Sequence, residues 1–414
     1  MLEVLTVDEA INEIIYTLNS VDYHDDKQLN EVVATEESLN RILYKDIHSS
    51  LDLPPFSRST VDGYAVRADE TYGVSESFPG VFTLAGKVLM GEASKVEVIR
   101  EEVVEIATGG MLPHGTDSVV MIEETETLGE DSILINKSIS PGENVIKVGE
   151  DVKKGQKVLE RGHKIRTQDL GALAALGITE VEVYEKPKVG IISTGDEIID
   201  PSKELDPGKI RDINSWALSG EVFEAGAVPV NYGICPDNRD NVEEYINRAL
   251  EENDLVIVSG GSSVGEKDVT SDVINLIGDP GVIFHGISIK PGKPTIFGMV
   301  NDKPIFGLSG NPVSAMVTFR LFVKKAIDIV SGKKDFPYAP TIRGKLTRNL
   351  SSRGGREDYV RVKLQEDEDG NYDVMPVLGE SGLIFTLVEA EGLLKIPRNT
   401  EGIKSGEEVE VYLL

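Results

Sequence analysis

The sequence predicts a multidomain protein of mixed α/β and β class, organised around a mostly parallel α/β sheet. Three observations predict it. First, three short apolar runs, Val189–Ile192, Leu255–Val258 and Ile305–Leu308, each break into a loop of serine and glycine. Runs of this length suit strands covered on both faces. Second, between residues 185 and 333 apolar runs alternate with helical stretches, the pattern of a doubly covered parallel sheet. Third, the stretches on either side are rich in short strands separated by Gly, Pro, Asp and Asn.

The 414 residues are too many for one ordinary core, so about two to four domains are expected. With 71 acidic and 42 basic residues the formal net charge is −29. Such a chain is soluble and repels nucleic acid and anionic lipid at long range. It can still bind a small anion where local cations and N–H groups overcome that field. No apolar run reaches the ~18 residues of a membrane helix, and Met1–Ala10 lacks a signal pattern. One cysteine, Cys235, cannot form an internal disulfide. A cytoplasmic protein is expected.

Along the chain, Thr6 is a candidate N-cap with Glu9 in the capping-box position, followed by Ala10, Ile14 and Leu18 at helical spacing. A second helix is read at Glu36–Leu43. Two prolines, Pro54 and Pro55, stiffen the approach to Asp62-Gly63, a turn signal before a strand at Tyr64. From spacing alone Asp62 reads as a turn aspartate. Strands follow at Val81–Leu84, Val96–Ile99, Val103–Ile106, Ser118–Ile122 and Ile133–Ile135. A helix begins near Thr167, a candidate N-cap, and ends at Gly177; it is expected to pair with the amino-terminal helix. The α/β units run from Val189 to a long helix at Val313–Val330, for which Asn311-Pro312 supplies cap and first turn. Strands at Arg343–Leu346, Asp358–Leu364, Tyr372–Pro376 and Glu408–Leu413 form a small terminal barrel or sandwich. The predicted domains are 1–26 plus 149–184 (helical dimerisation segment), 27–148 (β-rich insertion), 185–333 (α/β) and 334–414 (barrel).

The five histidines are scattered, with no His-x-x-x-His or Cys-x-x-Cys, which argues against zinc. The usual glycine fingerprints of dinucleotide and P-loop sites are absent. What remains is carboxylates and lysines around small-residue loops. Asp196, Glu197 and Asp268 stand just past strand ends, where hard oxygens suit Mg²⁺ bridging to phosphate. Lys290-Pro291-Gly292-Lys293-Pro294 holds two lysines in a stiff frame and reads as an oxyanion clamp. Arg356 and Ser381 could add donors. The residues alone thus describe a Mg²⁺-assisted enzyme or binder of a phosphorylated or oxyanionic small molecule.

Taken together, the motifs resemble the molybdopterin molybdenumtransferases, the MoeA family, whose animal relative is the E domain of gephyrin. The resemblance rests on Leu53-Pro54-Pro55-Phe56, Ser59–Ala65, Ala107-Thr108-Gly109, Ser193–Glu197, Ser259–Gly265 with Asp268, Lys290–Pro294 and Gly307–Ser314. It implies Mg²⁺-dependent insertion of molybdate, or tungstate, into adenylylated molybdopterin with release of AMP. It implies an elongated homodimer of four-domain subunits, with the cleft between one subunit's α/β domain and the other's β-rich insertion. It implies catalytic roles for Asp62, Thr108, Glu197 and Asp268, and metal ligation by Glu197, Asp268 and Asp196. Substrate contacts are implied at Gly195, Asp196, Ser259, Gly260, Gly261, Ser262, Gly265, Asp237, Asp151, Gly310 and Asn311. Oxyanion contacts are implied at Lys290, Lys293, Pro294, Arg356 and Ser381. Partners would be the upstream adenylyltransferase and downstream molybdoenzymes. Ser309 stands where the family usually has Pro, and Ser57-Arg58 replace a more usual acidic–polar pair. Two alternatives share part of this pattern: a non-catalytic molybdopterin-binding scaffold, and a molybdopterin adenylyltransferase.

Overall fold

The computed structural model describes residues 4–21, 23, 30–261, 269–334 and 340–414. Its central six-stranded sheet has the order Val228–Cys235, Lys188–Thr194, Leu255–Ser259, Lys303–Leu308, Ile296–Val300, Gly281–His285. The first four strands are parallel, and the last two are antiparallel additions. Every residue of Leu255–Ser259 is buried. Side chains alternate across a strand, so Leu255 and Ile257 enter one core while Val256 and Val258 enter another. The first core is covered by the helix Asn214–Glu224 and the long helix beginning at Pro312. The second is covered by Arg239–Glu252 and Val269–Ile277. This two-sided burial is why these strands read as unbroken apolar runs.

The long helix is not uniform. It passes from Pro312–Thr318 through a π turn, Phe319–Val323, into Lys324–Val330. The amino-terminal helix Val7–Asn19 has the expected capping box at Thr6 and Glu9. Its apolar stripe, Val7, Ala10, Ile14 and Leu18, joins the α/β core beside this long helix. The expected pairing with the helix Thr167–Ala175 is therefore corrected. That helix packs into a separate small core with Leu43, Leu159, Ile165, Val181 and Val183. Its N-cap is Arg166 rather than Thr167, with Asp169 accepting from the Arg166 N–H at 2.8 Å. Gly177 follows it at a positive φ of 72°.

The helix read at Glu36–Leu43 is also corrected: only a 3₁₀ turn, Thr35–Glu37, forms. Ser38 ends it by donating its hydroxyl to Thr35 O, and Ile42 and Leu43 make single strand bridges instead.

The β-rich sheet has the order Ser118–Met121, Gly63–Val66, Glu102–Ile106, Gly80–Val88, Ser132–Ile135, Thr125–Leu128. Val96–Ile99 is not a strand; it contributes one bridge, Glu97 to His114. In the carboxy-terminal part five strands close into a barrel: Glu357–Glu366, Tyr372–Pro376, Thr341–Leu346, Glu408–Leu413 and Gly392–Ile396, the last pairing back to the first. The Gly392–Ile396 strand was not predicted. One further pairing positions the site: Ile289–Lys290 runs parallel to Glu357–Asp358, placing Lys290 opposite Asp358.

Candidate active site between the sheet edge and the barrel

Parallel strands bring their carboxyl ends to one edge, and there the three small-residue loops meet. Two polar side chains that sequence reasoning missed hold them together. Asn214 donates from Nδ2 to Ser259 Oγ at 2.7 Å and to the Gly310 carbonyl at 2.9 Å. Asp212 accepts at one oxygen from the Ser193 hydroxyl and the Ser215 N–H, both at 3.1 Å. The signal was Asp212-Ile213-Asn214, polar residues just before a helix. Glycine is required at 260: φ is +103°, and a Cβ there would stand 2.2 Å from the Thr194 carbonyl oxygen. The buried hydroxyls of Thr194 and Thr270 flank Gly261 and make no hydrogen bond among the described residues.

Asp196, Glu197 and Asp237 converge beside this edge. The Asp237 N–H donates to Asp196 Oδ1 at 3.3 Å. Burial, with the negative charges of Asp196 and Glu197, pushes the Asp237 carboxyl above its ordinary range. Among the described residues none of the three has an ion-pair partner. Hard oxygens under mutual repulsion fit a hard divalent cation. Among the described residues no group of three acids is gathered into a metal cage. Asp268, expected as a ligand, lies outside the described residues, as do Ser262 and Gly265.

The expected oxyanion residues come together. Lys290, Lys293, Pro294, Arg356 and Ser381 line one cavity of about 780 Å³ between the sheet and the barrel. Five cationic side chains line it, Arg353 and Arg361 being the unpredicted ones, against two anionic, Asp358 and Glu380. That is a locally positive surface in a chain of net charge −29. Buried Asp358 accepts from Arg356 Nε at 2.8 Å and so fixes that guanidinium. Asn311 lines this cavity and also an adjoining one of about 340 Å³, walled by Ile198, Leu205 and Ile210 with Asp212, Asn214 and Ser259. Asn311 occupies the N-cap position before Pro312, but its side chain makes no capping bond. Ser309 accepts from the Asn311 N–H at 3.3 Å, a bond proline would not supply.

Asp62 and Thr108 form a separate pair on the β-rich sheet. Asp62 accepts from the Thr108 N–H at 2.7 Å and from its hydroxyl at 3.0 Å, which holds the carboxyl below its usual range. Neither is hydrogen-bonded to the sheet-edge residues. Asp151 is exposed, and its N–H donates to Leu53 O at 3.0 Å, apart from both groups.

Residues 5–177 match the MoeA N-terminal region (domain I and II), and residues 343–414 the MoeA C-terminal region (domain IV). Residues 190–328 match the family "Probable molybdopterin binding domain". A Methanocaldococcus jannaschii protein named for molybdopterin biosynthesis is 40% identical over 404 residues, 95% of this chain and 94% of its own length. The molybdopterin molybdenumtransferase of Haemophilus influenzae is 35% identical over 92% of this chain and 93% of its own. The chain belongs to the MoeA family. A solved MoeA protein of Pyrococcus horikoshii OT3 superimposes with a TM-score of 0.83 at 33% identity, covering all of both chains. In this MoeA-family chain the cationic cavity draws on two of the matched regions. Its lysines lie in the molybdopterin-binding region, and Arg356 and Ser381 in the C-terminal one.

Proposed function

We propose that this chain, a transferase of molybdenum cofactor biosynthesis, inserts molybdenum from molybdate into adenylylated molybdopterin with release of AMP. The observation that carries the reading is the pair of adjoining cavities sharing Asn311. One is cationic and fits a divalent tetrahedral oxyanion. The other is partly apolar, walled by Ile198, Leu205 and Ile210 with Asp212, Asn214 and Ser259, and fits a heterocycle.

In this reading Lys290, Lys293 and Arg356 bind and orient the oxyanion, Arg356 by its planar fork and the lysines as point charges. Ser381 supplies a hydroxyl. The small-residue turns after Ser259 and Ser309 border the place of the pyrophosphate. Glu197, Asp196 and Asp268 would hold Mg²⁺, as the family implies, with Asp237 beside them. Bound there, the ion would supply Lewis-acid polarisation of the phosphate oxygens. Asp62 and Thr108 belong to a cleft completed across a homodimer in the cytoplasm, with the domain limits given above except that helix Val7–Asn19 goes with the α/β domain.

The test is AMP release from adenylylated molybdopterin with Mg²⁺, with and without molybdate or tungstate. Oxyanion-dependent AMP release is expected. Tight pterin binding with no AMP release under any of these conditions would replace the transferase with a scaffold.

A further inference from the structure

One cation in the positive cavity differs from the rest. Lys290 and Lys293 are exposed, and Arg356 is braced by Asp358. Arg361 is only 7% exposed and forms no ion pair among the described residues. Its Nη2 donates to the Gly379 carbonyl at 2.6 Å and, at 3.5 Å, to the Val377 carbonyl. Its Nε is buried and makes no hydrogen bond among the described residues. Burial pushes its pKa down, and the exposed Glu380 charge opposes that. A buried guanidinium without a carboxylate is costly unless something else balances it.

The carbonyls it grips lie just before Ser381. From the other side, the Val313 N–H donates to the Ser381 carbonyl at 3.1 Å. The loop 377–381 is thus held between a barrel strand and the start of the long helix, with Arg361 as the barrel-side clasp.

We propose that Arg361 is a positioning residue for the oxyanion: its grip on Val377 and Gly379 sets Ser381 in place, and its unbalanced charge is completed by a divalent oxyanion in the cavity. The proposal rests on the reading of that cavity as the molybdate site. It predicts a residue whose loss harms oxyanion binding while leaving the pterin side untouched.

The experiment is equilibrium dialysis of molybdate against the full-length protein, bound metal being read by mass spectrometry, together with steady-state AMP release. Wild type is compared with Arg361→Gln, Arg361→Lys, Lys290→Gln and, as a surface-charge control, Arg343→Gln. Arg361→Gln should weaken molybdate binding about tenfold or more and raise the KM for molybdate, with the KM for the adenylylated pterin unchanged. Arg361→Lys should recover part of the loss, because it keeps the charge without the two-carbonyl grip. Arg343→Gln should match wild type.

Equal losses in Arg361→Lys and Arg361→Gln would overturn the charge role and leave only loop packing. Wild-type binding by a folded Arg361→Gln, with Lys290→Gln impaired, would overturn the proposal while the cavity reading stands. No molybdate binding by wild type would overturn the cavity reading and the proposal with it. If Arg361→Gln fails to fold, Arg361→Lys decides: weakened binding at an unchanged melting temperature supports the proposal, and unchanged binding overturns it.

Discussion

At the sheet edge three acidic residues, Asp196, Glu197 and Asp237, lie near one another without an ion-pair partner among the described residues and without forming a metal cage. Across Asn311, the cationic cavity presents lysines and arginines steadied by neighbours. Asp358 braces Arg356, and carbonyl oxygens hold Arg361. In the anionic half, burial, added to by the charges of Asp196 and Glu197, raises the Asp237 carboxyl. The cationic half is held in shape before any anion arrives. The two halves call for ligands of opposite sign, a hard cation on one side and an oxyanion on the other, which a phosphate-bearing substrate would bridge.

Four substitutions break or sharpen that contrast. The largest effect is expected for Glu197→Gln in the anionic half. Turnover should fall by roughly 100-fold or more, with adenylylated pterin still bound, as checked by AMP release beside a binding titration. Normal turnover would remove Glu197 from the machinery. In the cationic half, Lys290→Gln should raise the KM for molybdate about tenfold, roughly 1.4 kcal/mol, with kcat little changed. An equal fall in kcat and kcat/KM would place Lys290 in the chemical step instead.

A smaller effect is expected for Asp237→Asn, and it is a matter of pH. The folded carboxyl of Asp237 is raised above its unfolded value, so protonated Asp237 favours the fold. That contribution is present below the unfolded pKa and is lost as pH rises through the folded one. The ionised form is the one a cation takes. Wild-type Mg²⁺-dependent activity should therefore decline as pH falls through the raised pKa, and Asp237→Asn should lack that limb. Identical acid limbs in the two proteins would exclude Asp237 as the titrating group. The smallest effect is expected for Ser309→Pro. It gives up the 3.3 Å bond from the Asn311 N–H and gains chain stiffness, so stability should change by less than about 1 kcal/mol in thermal unfolding.

Much of the sheet was legible because two-sided burial forces unbroken apolar strands, and Leu255–Ser259 carries that signature in five residues. The meeting of Lys290 and Lys293 at one cavity was legible because prolines hold them at fixed spacing. Other parts were hidden for physical reasons. Ile42 and Leu43 have helical spacing, yet tertiary bridges and the Ser38 bond win. The strand Gly392–Ile396 gains its identity only by closing the barrel between two distant strands. Asn214 and Arg361 look ordinary in the sequence. Their importance comes from loops that topology places beside them, 96 residues away for Gly310 and 18 for Gly379.

The short pairing of Ile289–Lys290 with Glu357–Asp358 has a bearing on protein engineering. It stitches Lys290 to the strand that begins just after Arg356 and carries Asp358 and Arg361. A barrel transplanted from another oxyanion enzyme would sever that stitch unless the matching two residues travelled with it. Libraries aimed at a new oxyanion should therefore vary residues 289–293 and 356–361 as one linked cassette.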